Sequence, residues 1–147
     1  MRIVAITVLA LTLVPGGFSG SQTHALSASA FQVICHPSNP MTTVDREFLE
    51  DAFLKRTKSW PSDGEIRPVD LALNAPVRRF FSKAVLKRSP EAVRNYWQQA
   101  IFAGRELPPP ELDSDGDVVK YVLRHPGAVG YVFAGAALGG AKVLIVR

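Results

Sequence analysis

The chain has 147 residues, 47% of them hydrophobic, a formal net charge of +4 and one cysteine. A single cysteine excludes an internal disulfide, and so mild a basic balance speaks to solubility more than to partners. The length allows one domain with a real core.

The chain opens with Met1-Arg2 and an apolar run from Ile3 to Val14, broken by Pro15-Gly16-Gly17 and followed by small residues up to Ala28-Ser29-Ala30. This is the pattern of a secretory signal peptide over residues 1–30, with cleavage before Phe31 or before Leu26. A retained anchor is the competing reading. The run falls short of the ~20 apolar residues that a bilayer span needs. Residues 31–147 then form the mature domain, periplasmic or secreted, with no stable membrane insertion.

Phe31 to Cys35 reads as a first, buried strand. Cys35 fits a small buried hydrophobe, and neighbouring strand residues face opposite ways, so His36 is poorly placed to activate it. Thr42 or Thr43 caps a first helix, with Asp45 and Glu47 favoured by the helix dipole. Its apolar stripe is Val44, Phe48, Leu49, Ala52 and Phe53, and it ends near Lys55-Arg56. Trp60 to Gly64 is turn chemistry. Glu65 to Leu71 reads as a second strand, which Pro68 confines to an edge or a terminus.

Pro76 suits the first turn of a second helix, whose stripe is Val77, Phe80, Phe81, Ala84 and Val85. A third helix starts at Ser89-Pro90-Glu91, presents Val93, Tyr96, Trp97, Ala100 and Ile101, and stops before Gly104. A proline-rich connection follows. Ser114 or Asp115 caps a fourth helix. Ala128 to Phe133 and Lys142 to Val146 are the last strands. Strands alternating with amphipathic helices imply a layered α/β domain with a mixed, mainly parallel sheet flanked by about four helices. Ligands of such sheets sit at the carboxyl ends of the strands.

Several short motifs fall in a distinctive order: Trp60-Pro61, Phe80, Ser89 to Trp97, Phe102-Ala103-Gly104, Pro108-Pro109 and Gly127-Ala128-Val129-Gly130-Tyr131. From Phe31 to Phe133 the chain resembles one lobe of the phosphate-type periplasmic solute-binding proteins, the receptors of ABC importers. The resemblance implies a lobe of the type II periplasmic-binding fold, an exported protein, and phosphate or a similar oxyanion as ligand. It also implies an ABC permease or another envelope protein as partner. In that family the loop before the second helix usually reads Ser-Gly-Thr, with a Phe six residues after the Ser. Here Asn74 and Phe80 keep the spacing, Ala75 takes the Gly position and Pro76 the Thr position. Pro76 removes a backbone N–H, and Arg78 compensates with a forked guanidinium.

The candidate anion site is therefore Ser38 and Asn39, after the first strand, with Asn74 and Arg78. The alternatives are a capped turn at Ser38-Asn39, a helix cap at Asn74 and a solvated charge at Arg78. Arg79, Lys83 and Lys87 recur every four residues, but without aromatic interleaving they read as a solvated face rather than a nucleic-acid stripe. Asp113 to Asp117 lacks the acidic twelfth residue of a calcium loop, which is Arg124, and reads as capping. The histidines show no metal spacing. Tyr96, Trp97 and Phe102 read as core. No nucleophile elbow, phosphate loop or paired acid motif appears, so the chain reads as non-enzymatic, with no cofactor and no nucleic-acid partner. Two functions remain: an exported oxyanion-binding domain, or a degenerate lobe kept as a protein-interaction module in the envelope.

Overall fold

The computed structural model describes residues 30–147. The signal peptide expected over residues 1–30, with its cleavage point, lies outside them except for Ala30. The described elements are β1 (Phe31–Cys35), β2 (Thr43–Val44), α1 (Arg46–Phe53), β3 (Arg67–Pro68), β4 (Asp70–Leu71), α2 (Pro76–Phe81), α3 (Pro90–Phe102), β5 (Glu111–Leu112), α4 (Asp115–Arg124), β6 (Ala128–Phe133) and β7 (Lys142–Val146). A π-helical turn at Ser82–Leu86 continues α2. Among the described residues, no helix is long and apolar enough to cross a membrane.

The main sheet has the order β2-β7-β1-β6-β3. β1 lies in the middle and runs antiparallel to both neighbours, with Phe31 opposite Phe133 and Val33 opposite Leu144. β2 is parallel to β7, and β3 is parallel to β6. Four strands thus share one direction and β1 alone opposes them. The expected mixed α/β sheet is what forms, with two parallel and two antiparallel pairings. β4 leaves the sheet after Val69 and pairs in parallel with β5, so the stretch Glu65–Leu71 yields two short strands instead of one. Pro68 sits on the edge strand, where its missing N–H costs no ladder bond.

One sheet face carries Val33, Tyr131 and Leu144, all buried. Tyr131 stacks on Phe81 at 3.8 Å between centroids, and Phe53 leans on both rings. The other face takes α4, whose Val118 and Val122 press against β6 at Gly130. A Cβ there would lie 2.6 Å from Val118 Cγ1 and 2.9 Å from Val69 Cγ1. Only glycine lets helix and sheet approach this closely. Trp60 is buried and donates its indole N–H to the Gly127 carbonyl at 3.0 Å.

Local signals explain most helix boundaries. Ser89 caps α3 by accepting from the Ala92 N–H at 3.1 Å, and Ser114 caps α4 by accepting from Asp117. Gly104 follows α3 with φ +65. α1 differs from expectation at both ends. Asp45 is its N-cap and Thr43 belongs to β2, because the backbone there bonds to β7 instead. It ends at Phe53, and Lys55 already lies in the left-handed region.

The second helix also differs. Its buried residues are Arg78, Phe81, Ser82, Val85 and Leu86. That is the expected spacing displaced by one position, and Phe80 is 45% exposed. The displacement follows from Arg78, which turns inward because two carboxylates await it there.

Candidate functional site

Because four strands share a direction, their carboxyl ends make a common rim, where such sheets hold ligands. The turn Ala72–Ala75 after β4 stands on this rim and leads into α2. The start of α4 stands beside it, where Asp115 accepts from the Phe133 N–H at 3.2 Å. β5 brings Glu111 opposite Asp70.

A buried network of charges lies just beneath. Arg78 is 1% exposed. Its Nη2 pairs with Asp70 Oδ2 at 3.2 Å. Its Nη1 donates to the Leu71 carbonyl at 2.7 Å and to Glu111 Oε1 at 2.6 Å. Asp70 also accepts from the Leu71 N–H and from the Tyr131 hydroxyl. Among the described residues, Arg78 Nε finds no hydrogen-bond partner.

Burial pushes the Asp70 carboxyl above its usual range; Arg78, the Tyr131 hydroxyl and the Leu71 N–H pull it back only in part. Burial also opposes the charge on Arg78, but Asp70 and Glu111 more than offset it and hold the guanidinium protonated. Tyr131 is raised by burial and by the neighbouring Asp70. Removing one partner of a buried ion pair leaves the other as an uncompensated buried charge.

The four residues expected to bind an anion do not converge. Asn74 is exposed on the rim, yet the N-cap of α2 is Ala75, without a side-chain cap bond. Arg78 follows it, with its fork turned inward onto carboxylates. Ser38 and Asn39 lie at the opposite end of the sheet, because β1 runs against the other strands and its carboxyl end meets their amino ends. The five residues of β1 put about 13 Å between the two ends. Asn39 is buried there and holds its own turn, accepting from the Met41 N–H at 2.9 Å. Ser38 Oγ bonds to His36 Nδ1 at 2.7 Å. Both line a cleft of about 510 Å³ with Trp60, Arg124 and His125.

Arg79, Lys83 and Lys87 are exposed, as a solvated face requires, with Lys87 3.5 Å from Glu50. Trp97 is buried and Tyr96 half-buried, its hydroxyl donating to the Leu54 carbonyl. Phe102 is not core: it follows the last buried turn of α3 and is 96% exposed. Cys35 is buried, and desolvation pushes its thiol up to about 11.

Sequence reasoning missed Asp70, Glu111 and Tyr131 as partners of Arg78. The available signal was an arginine one position off an apolar stripe, which calls for carboxylates wherever the backbone turns it inward.

No protein-family model matches the sequence, and curated proteins return no match. Solved structures do match the fold. The chain is similar to a putative phosphate ABC transporter substrate-binding protein with bound phosphate from Clostridium perfringens, at a TM-score of 0.64 and 16% identity, over 80% of this chain and 44% of that one. An ABC-type phosphate transport receptor from Vibrio cholerae matches at 0.57 and 16%, over 80% and 46%. PstS from Borrelia burgdorferi matches at 0.61 and 17%, over 80% and 47%. The chain therefore has the fold of one lobe of a periplasmic-binding protein. It spans less than half the length of these structures.

Proposed function

We propose that the protein is an exported, non-enzymatic solute-binding lobe that takes phosphate or a similar oxyanion in connection with an ABC import system. The observation that supports this reading is the fold likeness over 80% of the chain to proteins described as a putative phosphate ABC transporter substrate-binding protein and an ABC-type phosphate transport receptor. On this reading the anion meets the carboxyl-end rim at Asn74, with Arg78 behind it. Ser38 and Asn39 belong to a separate cleft, whose lining includes Arg124. Binding by the lobe alone is weak, because Arg78 already holds two carboxylates.

The test is thermal unfolding of residues 31–147 in phosphate, sulfate and chloride at matched ionic strength. A ligand that binds only the folded state raises stability by RT ln(1 + [L]/Kd), about 1.4 kcal/mol at tenfold excess over Kd. A phosphate-specific rise that Asn74→Ala diminishes supports the reading. Coincident curves in all three salts overturn it.

A second reading, a protein-interaction module in the cell envelope, is favoured by a separate observation. Ile101, Phe102 and Leu107 are all exposed at the end of α3 and in the following loop, with Leu107 at 66%. Large apolar side chains grouped on a surface mark contact sites. Self-association or capture of an ABC permease, lost in Phe102→Ser, supports this reading. A chain that stays monomeric and does not bind a permease argues against it.

A further inference from the structure

We propose that Glu111 is the resident occupant of an oxyanion site built on Arg78, and that a tetrahedral oxyanion binds there by displacing it. This inference rests on the oxyanion reading above and concerns the control of that site.

The guanidinium has two fixed contacts and one exchangeable one. The fixed contacts, Asp70 on Nη2 and the Leu71 carbonyl on Nη1, belong to β4 and are buried with Arg78. The exchangeable contact shares Nη1 with the Leu71 carbonyl: it is Glu111, whose side chain is 49% exposed. Its carboxylate reaches Arg78 at 2.6 Å from the solvent side. A buried cation thus meets water at a point covered by one movable anion.

The anchorage of Glu111 is slight. β5 is two residues long and follows Pro108-Pro109-Pro110. Its backbone is joined to β4 through the Asp70 N–H to the Pro110 carbonyl and the Ala72 N–H to the Leu112 carbonyl, both 2.9 Å. Rotation of the Glu111 side chain alone breaks the ion pair and leaves this ladder intact. Breaking a partly exposed pair costs little, whereas separating Asp70 from Arg78 leaves a buried charge uncompensated.

Carboxylates and phosphates offer a guanidinium the same acceptor geometry. A phosphate entering where Glu111 leaves meets Nη1 and brings further acceptors toward the rim at Asn74. Glu111 therefore sets the affinity threshold: the lobe ignores dilute anions and responds when an anion outcompetes a tethered carboxylate.

The experiment is a phosphate titration, followed by backbone amide shifts, on the mature domain and three variants. Glu111→Ala and Glu111→Gln remove or neutralise the exchangeable contact. Asp113→Ala removes an exposed carboxylate two residues away as a control for bulk charge. Chloride at matched ionic strength is the reference. The expected result is a phosphate midpoint at least tenfold lower in Glu111→Ala than in the parent, a smaller drop in Glu111→Gln, no drop in Asp113→Ala, and shifts centred on Leu71 and Leu112. Equal, phosphate-specific midpoints in parent and Glu111→Ala overturn the inference and leave the oxyanion reading standing. A drop in Asp113→Ala as large as that in Glu111→Ala overturns it in favour of bulk charge. No phosphate-specific response in any form overturns both.

Discussion

The Tyr131 hydroxyl donates to the Asp70 carboxylate while the Tyr131 ring lies 3.8 Å from Phe81, nearly parallel to it. One side chain thus joins the aromatic core to the buried charges beneath the rim. Tyr131→Phe keeps the stacking and removes the donor. It is expected to destabilise by about 1–3 kcal/mol, because a buried carboxylate oxygen loses its hydroxyl partner. Urea unfolding measures this; an unchanged midpoint would mean that the bond contributes nothing.

Arg78 and Asp70 are expected to be strongly coupled. Arg78→Met leaves Asp70 as an uncompensated buried charge and is expected to cost about 3–5 kcal/mol. Asp70→Asn in the same chain is expected to restore a large part of that. A double-mutant cycle gives the coupling. Simple additivity of the two substitutions would remove the ion pair from the account of stability.

Cys35 is expected to shape the alkaline limb of the stability profile. Its thiol titrates at about 11 in the folded protein against 9.0 for the free group. The buried, neutral form is favoured, so its contribution is fully present below pH 9 and is lost as pH rises through about 11. The loss is on the order of 3 kcal/mol in total. Chemical unfolding between pH 8 and 11 is expected to show a shallower decline in Cys35→Ala. Tyr131 adds a loss of the same sign at still higher pH in both proteins. Identical slopes would mean that Cys35 ionises equally in both states.

Two glycines give opposite expectations for the same substitution. Gly130→Ala forces a methyl group against Val118 and Val69 and is expected to destabilise by about 1–3 kcal/mol. Gly116, early in α4, meets only Ser114 Oγ at 3.8 Å. Gly116→Ala is expected to stabilise by up to about 1 kcal/mol through helix propensity. Melting temperatures that move in the same direction would contradict this.

The parts of the fold governed by local chemistry were legible in the sequence. β1, β6 and β7 appear where their apolar runs predict them, and the Ser89-Pro90-Glu91 start of α3 forms as written. Strand direction was not legible. Nothing within Phe31–Cys35 says that it runs against its neighbours, and that reversal parts Ser38 and Asn39 from Asn74. The face of α2 was hidden for a related reason. An apolar stripe through Val77 and Phe80 is the natural reading until Arg78 finds Asp70 and Glu111, residues that neither its own helix nor periodicity reveals.

The first strand among the described residues is also the middle strand of the main sheet. β1 pairs with residues roughly a hundred positions later on both sides, so this is a topology of high contact order, which slows folding. A chain emerging N-terminus first holds β1 with both backbone edges unpaired until β6 and β7 have been made. Truncation before Lys142 would leave one of those edges open for good, ready to recruit a strand from another molecule.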